Sequence, residues 1–238
     1  NVLFDPWTGK FEVSVVPGAT LTNCTTPKTV TFHIDETGTA VDQIRGYNVQ
    51  FSINTAVATA GSFVEGTYLS ALGTTTFFPV DNGGGVYTVS CAILGGTVGA
   101  TGSGDLFSLT LTPVAAGTSD IAVTLLQIRD LNNVPLASSA RGGSILVECT
   151  PPTMDAIAEA EGGWFNAAPV LSHVGFDDDL NLDLAEYNYD GGTWTTIFSG
   201  IDAAAWNSDP WTLPGFGGLS DGSHTIYFHV KDDAGHWN

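Results

Sequence analysis

The chain is poor in basic residues: it has 6 lysines and arginines against 25 aspartates and glutamates, a formal net charge of −19 at pH 7. Proteins that bind nucleic acid or anionic membranes neutralise phosphate with lysine and arginine, so this composition excludes both kinds of partner. The surplus carboxylates leave two interpretations. They keep an extracellular protein soluble, or some of them coordinate a hard cation such as calcium, which prefers oxygen ligands.

Cysteine is also scarce, with three residues in 238, too few for a disulfide scaffold and without the spacing of a zinc site. Cys24 precedes the second predicted strand, and Cys149 ends the last predicted strand of the first half. If the first and last strands of that half run parallel, both cysteines lie at the same end of a sandwich. We therefore favour a Cys24–Cys149 disulfide with Cys91 as a buried free thiol; the alternative is three reduced, buried cysteines.

Long apolar runs and catalytic motifs are missing. No run is long enough to cross a membrane, so we expect no membrane insertion. The five histidines are scattered, and no nucleophile elbow, zinc-protease motif or Walker loop occurs. We predict that the chain is not an enzyme. Because predicted strands lie close to both ends, we also expect it to be a piece of a longer, secreted protein.

Alternating apolar and polar residues, separated by glycine-rich turns, predict an all-β fold. The strands expected in the first half are 11–16, 29–35, 46–53, 75–80, 86–94, 105–113, 121–128 and 144–149, with a helical turn at 66–72. Those expected in the second half are 170–176, 185–189, 194–197, 206–213 and 225–231. Many short strands without helical periodicity are typical of antiparallel sandwiches.

A domain boundary is predicted at Pro151-Pro152, because two prolines cannot continue a sheet and hold the chain extended. Five of the six tryptophans follow residue 160, so the composition changes across this point. The prediction is two β-sandwich domains, 1–150 and 151–238, the second near the size of an immunoglobulin-like domain.

Four segments of the first half, in this order, resemble the cohesin family: 11–15 (FEVSV), 44–53 (IRGYNVQFSI), 102–111 (GSGDLFSLTL) and 126–133 (LQIRDLNN). The resemblance implies a jelly-roll sandwich used for adhesion or scaffolding. In cellulosomal cohesins, one face of the sandwich binds a calcium-loaded dockerin.

The second half resembles bacterial immunoglobulin-like or fibronectin-III-like repeats. The segment 221–235 (DGSHTIYFHVKDDAG) reads as a turn, a last strand and an acidic exit loop, although the family usually has Asn where this chain has His236. The resemblance implies a spacer domain of a large surface protein.

The acidic run at 176–183 is the main candidate metal site. Asp179, Asn181 and Asp183 have the D-x-N-x-D spacing that places alternate oxygens around one cation. Asp177 and Asp178 stand beside them, and adjacent carboxylates repel each other without a cation. The glycine and the twelfth-position glutamate of an EF-hand are missing, so a looser calcium site is expected. The alternative is a solvated acidic loop.

Two further groups of residues enter this prediction. Asp232 and Asp233, in the exit loop, are expected to complete the calcium shell. Asp130 and Asn132 form a second candidate in the first half, where the alternative is a turn stabilised by the side chains themselves.

The tryptophans allow a carbohydrate platform, which needs exposed, coplanar rings, or a structural role in a core. They are Trp164, Trp194, Trp206, Trp211 and Trp237. We favour the structural role: Trp194 is expected in the core, and one of Trp206 and Trp211 at the surface.

These observations favour a non-catalytic fragment of a secreted bacterial surface protein that serves adhesion or scaffolding. Its expected partner is a protein or glycan outside the cell, and its candidate cofactor is calcium. One alternative is a structural subunit of a surface layer or filament that self-associates through terminal edge strands. Another is a pair of carbohydrate-binding modules detached from a glycoside hydrolase.

Overall fold

A computed structural model describes residues 11–37, 42–95, 97–157 and 163–238. The fold is all-β, as predicted, with one short α-helix and one 3₁₀ turn in the described residues. The chain divides into two compact units, 1–148 and 149–238, two residues before the boundary predicted from the prolines. In the described ranges, no helix has both the length and the apolar character needed to span a membrane.

The first unit contains twelve described strands and one helix, most of them predicted. They are β1 (Phe11–Val16), β2 (Ala19–Asn23), β3 (Lys28–Glu36), β4 (Ile44–Ser52), β5 (Ala58–Glu65), α1 (Thr67–Ser70), β6 (Thr75–Asp81), β7 (Val86–Ile93), β8 (Gly104–Pro113), β9 (Gly117–Asp130), β10 (Pro135–Leu136), β11 (Ser138–Arg141) and β12 (Gly143–Glu148).

These strands form two sheets. The first has the order β11-β1-β3-β8-β5, and the second has the order β2-β12-β9-β4-β7-β6, with β10 added beside β9. Pairing is antiparallel except for β1 with β11 and β2 with β12, which run parallel. The parallel closing pair expected from the cysteines is present, but β12 pairs with β2 rather than with the first strand.

Stacked phenylalanines fill the space between the two sheets. Phe32 and Phe107 come from the first sheet and Phe51 from the second, and all three side chains are fully buried. The Phe32 ring lies 4.3 Å from Phe107 and 5.0 Å from Phe51, centroid to centroid. Period-2 alternation thus places one face of each sheet in a common core and leaves the other face outside.

The second unit contains eight described strands in three small antiparallel sheets. They are β13 (Thr153–Met154), β14 (Val170–Leu171), β15 (Val174–Asp177), β16 (Leu182–Tyr189), β17 (Thr195–Ser199), β18 (Ala205–Ser208), β19 (Trp211–Thr212) and β20 (Ile226–Asp232), with a 3₁₀ turn at Phe216–Gly218. The sheet orders are β13-β15-β18, β14-β19 and β17-β16-β20. One cluster of buried side chains joins them, centred on Phe176.

Two strand predictions for this unit were wrong, because the chain forms two short strands where one long strand was predicted. The stretch 170–176 divides into β14 and β15, and 206–213 divides into β18 and β19 around Asp209-Pro210. Proline has no backbone N–H to donate to a neighbouring strand, which explains the second break.

Candidate functional site

The outer face of the second sheet of the first unit carries a shallow groove across β6, β7, β4 and β9. On β7, Tyr87, Val89, Cys91 and Ile93 point into the core. The alternate positions of this strand therefore face outward, and the same holds for β4, which pairs with it residue by residue.

The floor of the groove is built from small and polar residues. Gly46 lies opposite Ala92, and Asn48 lies opposite Ser90, whose hydroxyl bonds the Asn48 amide oxygen at 3.3 Å. A Cβ on Gly46 would come within 3.1 Å of the Cys91 carbonyl oxygen, so a larger residue would crowd the contact between the two strands. The cavity above this floor measures about 480 Å³.

Two arginines and exposed apolar side chains surround the floor. Phe78, on the edge strand β6, exposes 66% of its surface, and Leu94 is exposed just beyond β7. Arg45 bonds the Ile93 carbonyl oxygen at 3.3 Å, and Arg129 bonds the Asn133 carbonyl oxygen at 3.0 Å. We call this surface the outer groove. Its residues are Arg45, Gly46, Tyr47, Asn48, Thr76, Phe78, Ser90, Cys91, Ala92, Ile93, Leu94, Gln127, Arg129, Asp130, Leu131 and Asn133.

The outer groove concentrates arginine on an acidic protein, with one carboxylate, that of Asp130, in its lining. It holds two of the six lysines and arginines of the chain. Arg141 and Lys231, by contrast, are paired with Glu12 at 3.3 Å and Asp183 at 2.5 Å. The guanidinium groups of Arg45 and Arg129 bond only neutral oxygens in the described residues, so each can still take a carboxylate.

The structure brings several predicted metal ligands together because β16 pairs with β20, with Leu182 opposite Asp232. Two of these predicted ligands contact protein groups. The Asp183 carboxylate pairs with Lys231, so its oxygens are engaged by a cation of the chain itself. The Asn181 amide donates through its nitrogen to the Asp202 carboxylate at 2.6 Å, a bond that does not use the amide oxygen a metal would need.

Asp232 and Asp178 differ from each other in their hydrogen bonds. Asp232 is fully buried and accepts bonds from the His236 backbone N–H and imidazole, both at 2.8 Å. Asp178 accepts a bond from the Leu180 N–H at 3.0 Å, while its other oxygen, Oδ1, is buried and has no hydrogen-bond partner among the described residues.

Several carboxylates lie near Asp233, a residue of the predicted exit loop. Partial burial, followed by the charges of Asp183, Asp202 and Asp232, raises the pKa of Asp233. Partial burial, followed by the neighbouring charges of Asp232 and Asp179, raises the pKa of Asp178. We call Asp178, Asn181, Asp183, Asp202, Asp232 and Asp233 the acidic cluster.

The remaining predicted ligands of this unit, Asp177 and Asp179, are exposed. Within the described part of the second unit, no three acidic or histidine residues place their ligand atoms within 4.8 Å of one another. Calcium binding would therefore require carboxylate side chains to rotate toward the ion.

The weaker candidate in the first unit is built as a turn. Asp130 Oδ1 accepts the backbone N–H groups of Asn132 at 2.8 Å and Val134 at 2.7 Å, which closes the hairpin between β9 and β10. Asn132 itself is exposed. This geometry corresponds to the turn alternative.

Cys24 and Cys149 are disulfide-bonded, and Cys91 is a buried free thiol. Asn23 lies opposite Glu148 in the parallel pairing of β2 with β12, so both cysteines follow directly after paired residues. Burial, and then the hydrogen bond to Glu65, raises the pKa of the Cys91 thiol to about 12. Cys91 is therefore protonated and unreactive at neutral pH.

The tryptophan predictions were partly wrong. Trp206 and Trp211 both pack against the core, whereas Trp194 precedes β17, exposes 39% of its surface and stacks on the His229 ring at 3.7 Å. Because Trp194 lies outside the strand, the alternation that predicted its burial does not apply. Trp164 is almost entirely exposed.

Sequence reasoning missed Arg45, Arg129, Phe78 and Asp202. The signal for the arginines was their rarity, since a basic residue in so acidic a chain is unusual. Asp202 carried no signal, because it reaches the cluster only through the fold.

No family model matches the chain, and no curated protein is similar to it in sequence. Solved cohesins are similar in fold. A type I cohesin–dockerin complex from Clostridium thermocellum has a TM-score of 0.51 at 10% identity, covering 62% of this chain and 99% of that chain. A non-cellulosomal cohesin from the hyperthermophilic archaeon Archaeoglobus fulgidus has a TM-score of 0.48 at 15% identity, covering 59% and 92%.

The seventh ScaB type I cohesin from Pseudobacteroides cellulosolvens has a TM-score of 0.47 at 15% identity. The match covers 64% of this chain and 98% of the cohesin chain. The similarity to the C. thermocellum structure covers 62% of this chain. The first unit makes up the same share of the chain, 148 of 238 residues. The likeness is one of fold: this chain contains an all-β sandwich of the cohesin kind.

Proposed function

We propose that the chain is a non-catalytic recognition fragment of a secreted bacterial surface protein. In this proposal the first unit binds a protein partner, and the second unit is an immunoglobulin-like spacer. The observation that carries it is the outer groove, where two guanidinium groups, which bond no carboxylate among the described residues, lie beside exposed apolar side chains. Binding sites on proteins combine such apolar anchors with arginine more often than the rest of the surface does.

The groove defines the chemistry of the partner. A segment that presents a carboxylate to Arg45 or Arg129 and an apolar side chain to Phe78 satisfies both features of the surface. The groove's positive charge within a field of net charge −19 favours a partner whose acidic group is local rather than one that is acidic throughout. A dockerin, the partner named in the C. thermocellum complex, is the first candidate.

The histidines support the non-catalytic part of the proposal. Each of the five contacts a carboxylate; His33 bonds Asp105 at 2.6 Å and His229 bonds Glu186 at 2.8 Å. His173, His224 and His236 have the same kind of partner. Such pairs crosslink neighbouring segments of the chain, and this is the role we propose for these histidines.

Reversing the charge of Arg129 tests the role of the groove. We expect Arg129→Glu to weaken binding of a purified type I dockerin by about tenfold or more, because the substitution replaces an attraction with a repulsion. Titration calorimetry with the full chain measures the change.

Arg141→Glu is the matched control. It makes the same charge change on β11, a strand of the other sheet. Equal losses in both variants would show that only net charge matters and would refute the groove as the contact surface. Concentration-dependent assembly of the chain, abolished by deleting an edge strand, would instead favour the filament alternative.

We also propose that the acidic cluster takes calcium. Two features favour this: partial burial, followed by the charges of neighbouring carboxylates, raises the pKa of Asp178 and Asp233, and Asp178 Oδ1 is buried without a hydrogen-bond partner in the described residues. The ion would be held by Asp178, Asp202 and Asp233, because the Asp183 carboxylate already pairs with Lys231 and the Asp232 carboxylate with His236. It would neutralise carboxylates that otherwise repel each other.

Calcium is therefore expected to raise the thermal midpoint of the second unit. With 10 mM calcium and a dissociation constant of about 1 mM, typical of extracellular modules, the gain is roughly 1.4 kcal/mol, or several degrees. Thermal unfolding with calcium, with magnesium and with a chelator measures it.

Asp233→Asn should abolish the calcium effect, whereas Asp221→Asn, an equal charge change outside the cluster, should retain it. If calcium does not shift the thermal midpoint of the wild-type chain, the proposed calcium site is wrong. The carboxylates would then serve solubility only.

A further inference from the structure

A second cavity, of about 600 Å³, lies within the second unit. It is enclosed by residues 163–169, by the turn that contains Phe216–Gly218 and by the loop that leads into β20. Neither the outer groove nor the acidic cluster shares a residue with it. We call it the aromatic cavity, defined by Trp164, Phe165, Tyr189, Phe216, Asp221 and His224.

Two strongly exposed aromatic rings line the aromatic cavity. Trp164 exposes 93% of its surface and Phe165 exposes 55%, whereas Trp206 and Trp211 pack against the core. Large exposed rings beside one another lose favourable contacts unless a ligand covers them, and this marks a binding surface rather than a packing defect.

Hydrogen bonds hold the walls in place. His224 Nδ1 bonds the Asp190 carboxylate at 2.6 Å, and Nε2 bonds the Ser220 carbonyl oxygen at 2.8 Å, so the imidazole ties the loop to the end of β16. These two bonds, the Asp190 bond first, raise the pKa of His224. The Tyr189 hydroxyl donates to the Pro214 carbonyl oxygen at 2.7 Å and fixes the ring against the turn. Preformed walls lower the ordering cost of binding.

The lining also offers polar groups and free space. Asp221 is exposed and supplies a carboxylate, and Asn166 and Ser223 supply an amide and a hydroxyl. A Cβ placed on Gly217 would meet no atom within 4 Å, so the turn leaves room above its backbone.

We infer that the aromatic cavity binds a neutral oligosaccharide. Aromatic rings stack on the C–H face of a pyranose, while the carboxylate, amide and hydroxyl groups bond its hydroxyls. The volume lies within the roughly 300–1,000 Å³ of small-ligand sites. The net charge of −19 repels an anionic glycan.

Affinity electrophoresis of the full chain tests the inference, using gels that contain xylan, mannan, mixed-linkage β-glucan or hydroxyethyl cellulose. We expect at least one of these neutral polysaccharides to retard the wild-type chain. Trp164→Ala should weaken that binding by about tenfold or more, because the exposed indole provides the stacking surface. Gly217→Gln should weaken it too, because Gly217 lines the cavity and a Cβ added there meets no atom within 4 Å.

Trp194→Ala is the matched control, since it removes another exposed tryptophan of the same unit and should leave the retardation unchanged. Circular dichroism of each variant verifies that it is folded. Retardation by none of the four polysaccharides would overturn the inference, and so would equal losses in Trp164→Ala and Trp194→Ala.

Discussion

Replacing Cys24 with serine is expected to lower the free energy of unfolding of the first unit by roughly 5 kcal/mol. The Cys24 and Cys149 half-cystines close a loop of about 125 residues, nearly the whole unit. In the chain-entropy model, a crosslink stabilises the folded state by restricting the unfolded chain, and the effect grows with the logarithm of loop length. Urea denaturation followed by circular dichroism measures the change.

Cys91→Ala is the control, because it removes the free thiol and keeps the crosslink. Cys91→Ala should lower the free energy of unfolding by about 1 kcal/mol, because it shortens one small buried side chain. Reductant should bring the wild-type chain to the stability of Cys24→Ser and should not change Cys24→Ser itself. Equal stability of wild type and Cys24→Ser would show that the disulfide restricts the unfolded chain far less than its loop length implies.

The sequence predicted strands well where side chains alternate. The bounds of β1 were exact, and β4 and β7 were correct to within two residues, because each buries every second side chain almost without exception. The missed strand β5, with the sequence ATAGSFVE, has small residues and no such pattern. Its extended form comes from pairing with β8, which a local pattern does not reveal.

The candidate sites were less predictable than the fold for a physical reason. Asn181 and Asp232 were placed in one site from the sequence, and the β16–β20 pairing does bring their segments together, since the Asp233 N–H donates to the Asn181 carbonyl oxygen at 3.0 Å. The outer groove gave no such signal, because small and polar residues such as Ser90 occupy the outward face of any exposed strand. Recognising it requires the register that lines up Gly46 with Ala92 and brings Phe78 beside Ser90.

Phe176→Ala is expected to remove roughly 3–5 kcal/mol from the second unit, the usual cost of truncating a fully buried phenylalanine. The Phe176 ring lies 6.0 Å from that of Phe198, 5.9 Å from Trp206 and 6.4 Å from Phe228, so its loss leaves a cavity between strands of two different sheets. In a unit of 90 residues, residues 149–238, this corresponds to a fall of roughly 15–30 °C in the thermal midpoint.

Tryptophan fluorescence is the measurement of choice, since five of the six tryptophans lie in the second unit and report its unfolding. Tyr227→Ala is the matched control: it removes an exposed aromatic ring from β20 and should change the unfolding free energy by only about 0.5 kcal/mol. A similar midpoint for Phe176→Ala and Tyr227→Ala would mean that the eight strands do not share the core that Phe176 occupies. A large fall for Phe176→Ala alone would establish that three small sheets, each too short to be stable by itself, are held together by one hydrophobic cluster.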